Sequence, residues 1–144
     1  EVNRHMHSLV YQKFFTAFYG LYFHETKRFR FSRGAHCFPI LIRSKKLFEL
    51  KSKGTVLGYL KDIQFQEIEL QLKVQDKLVF FTDGLIKARN QKNIQFENIF
   101  YSILKKYHHL PIQNLINLIK KQFFKFHDQK KFEDDVCIIG MEVK

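Results

Sequence analysis

The chain has 144 residues, enough for one domain and too few for two of ordinary size. Hydrophobic residues make up 45%, with 17 phenylalanines, so a real core can form, while no apolar run approaches the roughly 20 residues of a membrane helix. The net charge of +11 raises nucleic acid as a partner, but the charges are spread along the chain with no arginine-rich arm or glycine-aromatic strand motif, so nucleic acid is not favoured.

The chain opens on "EVNRHMHSLVYQ", which has no N-cap signal and reads as the tail of a helix, as expected of the C-terminal part of something longer. Nor does it show the order of a signal peptide, so a cytoplasmic location is expected. From residue 14 the pattern is β. Strands are predicted over 14–23, 29–35, 38–44 and 46–50, with a glycine-punctuated loop over 51–58. Residues 65–72 alternate as a half-exposed strand, and Leu78–Phe81 is a continuous apolar strand covered on both faces. The period then changes. Phe96, Ile99, Phe100, Ile103, Leu104 and Tyr107 share one helical stripe. Pro111 can start a second helix, over 112–124, with Ile112, Leu115, Ile116, Ile119 and Phe123 on its apolar face. Residues 125–135 read as a solvated loop, and 136–143 as a closing strand. The order β, two helices, β predicts an α+β fold, a layered β-sandwich flanked by helices, with residues 1–144 forming a single partial domain. Cys37 and Cys137 form no CxxC pair and sit in apolar sequence, which predicts buried free thiols in a reducing compartment.

Acidic residues stand at two strand ends. Asp83 follows one apolar strand; Asp134 and Asp135 precede another. If each element reverses direction, these strands are antiparallel and the exit of one lies beside the entrance of the other. Converging carboxylates repel unless a cation lies between them, and hard divalent ions, Mg²⁺ or Mn²⁺, prefer such oxygen ligands. Gly84 allows a sharp turn and close approach to an ion. Lys87 and Arg89 follow closely and could meet a phosphate, or serve as solvated residues of a helix start or loop. "TDG" is by itself ordinary turn chemistry.

Read in order, these segments resemble the bacterial type-2C metal-dependent serine/threonine phosphatases, in the branch of stage II sporulation phosphatase E and RsbU. "FFTAFYG", "RGAHCFP" (33–39), "TVLG" (55–58), Gln75-Asp76, Thr82-Asp83-Gly84 and Asp134-Asp135 before "VCII" follow the family's order and spacing. The resemblance covers nearly the whole chain and the C-terminal two-thirds of the family's domain. It implies that Asp83 and Asp134 are metal ligands, with Gly84 and Asp135 in supporting places. It also implies a pair of Mn²⁺ or Mg²⁺ ions that activate water for in-line attack on phosphorus. The implied substrate is phosphoserine or phosphothreonine on a regulatory protein of the anti-sigma-factor-antagonist type.

This chain departs from the pattern in several places. The family's first metal motif, an Asp near Gly-His-Gly, is absent from these residues. Lys87 stands where the family has Glu, and Ala-Gly-His becomes Gly34-Ala35-His36. The alternative is therefore a catalytically inactive module of the same fold that binds a phosphorylated regulator. The histidine pairs His5/His7 and His108/His109 lack i, i+4 ligand spacing and read as surface or helix-end residues. His36 reads as a structural residue of its turn.

Overall fold

A computed structural model describes residues 3, 4, 14–127 and 132–144. The expected helix tail of residues 1–12, with His5 and His7, lies outside them apart from Asn3 and Arg4. The described elements are β1 (Ala17–Phe23), β2 (Arg28–Gly34), β3 (Ile40–Arg43), β4 (Lys46–Glu49), β5 (Glu67–Gln71), β6 (Lys77–Phe81), α1 (Asp83–Lys87), α2 (Glu97–Lys106), α3 (Ile112–His127) and β7 (Ile138–Glu142). The chain divides into two compact units. The first holds the described residues through His36 with Lys51–Lys73; the second holds Cys37–Leu50 and the described residues from Val74 on.

In the first unit, β1, β2 and β5 form an antiparallel sheet in that order, with Ala17 opposite Gly34 and Arg28 opposite Gln71. Period-2 alternation sorts its side chains. Phe29 and Phe31 are buried and stack at 5.7 Å, with Phe18 5.4 Å from Phe31. Between them Arg30 reaches Glu69 at 3.1 Å. That hydrogen bond holds the Glu69 carboxyl below its ordinary range, with the charges of Arg28 and Arg30 adding. In β5, Ile68 and Leu70 are half-buried between exposed Glu67, Glu69 and Gln71, as the alternation predicted.

In the second unit a four-stranded antiparallel sheet runs β4-β3-β6-β7. Leu78 and Val79 point to opposite faces of β6, and both are fully buried. Both predicted helical stripes form the core. Phe96, Phe100 and Leu104 of the first and Leu115 and Ile119 of the second have no exposed surface. Phe81 meets Phe100 at 4.8 Å, and Phe96 meets Phe123 at 5.2 Å. Gly140 lets α3 lie close on β7, since a Cβ there would stand 2.5 Å from Ile112 Cγ1.

An ion pair, buried at Lys77 and half-buried at Glu142, sets the helical hairpin on the sheet. Lys77 and Glu142 are opposite each other on β6 and β7, with 3.7 Å between charged atoms. Lys77 Nζ donates to the His108 carbonyl at 2.8 Å, satisfying an orphan acceptor beyond the end of α2. Glu142 accepts from the Ile112 N–H at 2.9 Å, satisfying a donor at the start of α3.

Three expectations change. Residues 83–87, where Thr82-Asp83-Gly84 read as turn chemistry and Lys87 as a helix start or loop, form a short helix with Leu85 drawn into the core at 1% exposure. The second helix runs past 124 to His127. That residue continues the apolar stripe four positions after Phe123 and stacks on its ring at 5.6 Å, so the start of the expected solvated loop is helical. Residues 128–131 of that loop lie outside the described residues. Cys137 is exposed, not buried, and Cys37 is only half-buried; neither forms a disulfide. Thr82 takes both backbone groups of Cys137 while strand alternation turns its side chain outward.

Ala35 (φ 53°) and Gln75 (φ 71°) hold left-handed backbone, the conformation that favours glycine. The left-handed penalty of roughly 1–2 kcal/mol exceeds the entropic cost of glycine, about 0.5–1 kcal/mol. Gln75→Gly should therefore stabilise the protein by up to about 1 kcal/mol, read as a higher urea midpoint. Lys77→Met leaves Glu142 without its buried partner and should lower stability by about 2–4 kcal/mol in the same assay.

Candidate metal-binding site

The antiparallel pairing of β6 with β7 ends at Phe81 opposite Ile138, so the exit of one strand adjoins the entrance of the other. Thr82 then ties the two segments together. Its N–H donates to the Cys137 carbonyl at 3.1 Å. Its Oγ1 accepts from the Cys137 N–H at 2.9 Å and donates to the Asp135 carbonyl at 2.8 Å. Gly84 completes the contact, since a Cβ there would lie 2.5 Å from the Asp135 carbonyl oxygen and 3.3 Å from the Asp134 carbonyl carbon. Only glycine lets α1 lie this close to the 134–135 backbone.

This closeness brings Asp83 and Asp134 to the wall of one cavity of ≈ 250 Å³, with Gly84 and Lys87 beside them. Asp135 takes part through its backbone: its carbonyl holds Thr82, and its N–H donates to Asp134 Oδ1 at 2.8 Å. Lys87 Nζ donates to Asp83 Oδ2 at 2.7 Å, one helical turn on. The Lys87 pKa is raised above the ordinary lysine value. The hydrogen bond to Asp83 is the main cause, followed by the charge of that carboxylate, and Asp134 adds a smaller share. Arg89 lies outside the cavity lining, and its guanidinium donates to the Asn93 carbonyl at 2.7 Å.

Sequence reasoning missed the polar and aromatic wall residues Glu133, His127 and Phe132, which line the cavity with Ala88 and Val136. Glu133 was legible as the first of three consecutive acids. The His127–Phe132 stack, at 4.9 Å, had no sequence signal because it joins a helix end to a loop. His36 accepts or donates a 3.0 Å hydrogen bond with Thr16 at Nδ1, so its partner lies near the start of β1 and outside its own turn.

The donors are all oxygen and the ions they suit are Mg²⁺ and Mn²⁺. Asp83 and Asp134, with Glu133 on the same cavity wall, offer carboxylate oxygens of the kind such an ion takes, water completing its shell. Among the described residues no three His, Cys, Asp or Glu side chains converge to hold a metal. The larger cavity, ≈ 750 Å³, belongs to the first unit; its wall carries a single carboxylate, Asp62, paired with Arg4 at 3.1 Å. It has no comparable convergence of acids.

Solved structures share this architecture. The SiaA PP2C domain of Pseudomonas aeruginosa superposes with a TM-score of 0.85 at 15% identity, over 99% of this chain and 58% of that one. The Mn-presoaked phosphatase domain of the cell-fate determinant SpoIIE from Bacillus subtilis gives 0.65 at 14% identity, over 89% and 56%. The fold is thus the α+β fold of PP2C-type phosphatase domains. Phosphoserine phosphatase RsbU of Bacillus subtilis is 24% identical over 122 residues, which is 80% of this chain and 36% of RsbU. The model of the stage II sporulation protein E (SpoIIE) family matches residues 1–144, and the chain belongs to that family. It spans under two-thirds of the length of these relatives.

The clamp at the strand ends is testable apart from any metal. Gly84→Ala should push the 134–135 backbone off α1 and cost about 1–3 kcal/mol in chemical denaturation. Thr82→Val keeps the shape but leaves the exposed Cys137 N–H and Asp135 carbonyl to water, with a loss of about 0.5–1.5 kcal/mol. Unchanged denaturation midpoints in both variants would show that the clamp contributes nothing.

Proposed function

We propose that the chain is the metal-binding part of a protein serine/threonine phosphatase, acting in the cytoplasm on phosphoserine or phosphothreonine of a regulatory protein of the anti-sigma-factor-antagonist type. The observation that carries this reading is the shared cavity of Asp83 and Asp134, held at adjoining strand ends by Thr82 and Gly84. Membership of the SpoIIE family and similarity to RsbU, itself a phosphoserine phosphatase, support the reaction class. The cofactor in this reading is Mn²⁺ or Mg²⁺; the Mn presoak of the SpoIIE domain favours manganese.

Asp83 and Asp134 would hold the ion through carboxylate oxygens, with Asp135 fixing the rotamer of Asp134 through its N–H. When bound, the ion supplies Lewis-acid activation of water and neutralises phosphoryl charge. Lys87 stands at the cavity wall as a cation able to meet a phosphoryl oxygen. The net charge of +11 favours approach of an acidic phosphoprotein. Among the described residues no three such side chains converge to hold a metal, so a two-ion reaction needs further ligands, and this polypeptide by itself should turn over slowly.

The second reading is a catalytically inactive module that binds the phosphoprotein. The Lys87–Asp83 ion pair favours it, because the carboxylate already has a counter-ion.

Calorimetric titration of the chelator-stripped chain should give saturable Mn²⁺ binding, weakened at least tenfold, about 1.4 kcal/mol, by Asp83→Asn. Hydrolysis of a phosphoserine peptide by this chain should stay far below that of RsbU. Equal Mn²⁺ affinity in the Asp83→Asn variant would remove the metal reading. Turnover matching RsbU without added metal would remove the mechanism.

A further inference from the structure

Asp83 is held by a charge from its own helix. Lys87 Nζ is 2.7 Å from Asp83 Oδ2, and both residues line the cavity that also receives Asp134. Lys87 Nζ sits on one of the two Asp83 oxygens, so a cation bridging Asp83 and Asp134 would compete with an ammonium for the same carboxylate. The ammonium itself is compact, strongly hydrated and carried on a flexible stem. Its side chain is 67% exposed, so it can swing away without disturbing the core.

We propose that Lys87 is the resident cation of the Asp83–Asp134 cavity, a tethered ammonium that a divalent ion must displace from Asp83 before it can bind. Lys87 is then a positioning residue that tunes metal affinity. With the ion absent it stabilises Asp83 against Asp134; with the ion present it is released toward solvent or toward an incoming phosphoryl oxygen. This inference rests on the metal-binding reading above.

The test is Mn²⁺ binding by the intact chain, read by calorimetry and by loss of the free Mn²⁺ spin-resonance signal. The variants are Lys87→Gln, Lys87→Arg, Asp83→Asn and the double variant Lys87→Gln with Asp83→Asn. Thermal melts of each confirm folding, and the exposure of Lys87 makes a folded variant the expected result. Lys87→Gln should bind Mn²⁺ about five- to tenfold more tightly than the parent at low salt, the scale of a removed exposed ion pair and its charge. Lys87→Arg keeps the charge and should bind like the parent, and the double variant should lose the gain. If Lys87→Gln binds no more tightly than the parent while Asp83→Asn still loses affinity, the tethered-cation proposal is overturned and the metal site stands. If Lys87→Arg gains as much as Lys87→Gln, charge is not the cause and the proposal is likewise overturned. If no variant binds Mn²⁺, both the proposal and the metal reading fall.

Discussion

The hydroxyl of Thr82 stands between two segments separated by more than 50 residues of chain. It donates to one backbone carbonyl and accepts from one backbone N–H, so both hydrogen-bonding roles of the group are used. Because the partners are backbone atoms, the hydroxyl fixes the path of the 135–137 segment and leaves the side chains of Asp134 and Asp135 to other tasks. Everything proposed for the cavity depends on that fixed path. The absent Cβ of Gly84 permits the contact, and the hydroxyl holds it.

The rest of the second unit serves to deliver these two strand ends. β6 is buried on both faces and paired on both edges, so its exit point is set by the core. α2 and α3 carry the chain from α1 back to β7, and the Lys77–Glu142 pair sets where that excursion turns. Each member of the pair also satisfies a backbone group flanking the helical turn, so the charges are hydrogen-bonded as well as paired. A buried charge pair tolerates its desolvation only with such additional bonds. The pair therefore links the register of the sheet at one end of β6 to the geometry of the helices, while Thr82 closes the opposite end.

At the cavity the electrostatics are balanced by the protein itself. Two carboxylates brought together would repel, and Lys87 offsets this with a charge one turn along α1. In the proposed metal site the same residue would compete with an entering ion. The departure from the family pattern at position 87 would then bear on affinity for metal, because it puts the opposite charge beside Asp83.

The sequence alone determined the element order and the core. Apolar spacing of 3.6 marked the buried faces of α2 and α3, alternation marked β5, and an unbroken apolar run marked β6, because burial acts on each residue by its position in a regular repeat. The antiparallel pairing of β6 with β7 was an expectation conditional on two intervening helices; three lie between them, and the pairing itself brings the strand ends together. Tertiary structure alone decided the rest. The buried Lys77, the helical turn at 83–87, the extension of α3 to His127 and the outward face of Cys137 each arise from a partner distant in sequence. The commitment of Lys87 to Asp83 was open in the sequence between phosphate contact and solvated residue. A side chain with several possible partners is assigned only when folding fixes which of them lies within hydrogen-bonding distance.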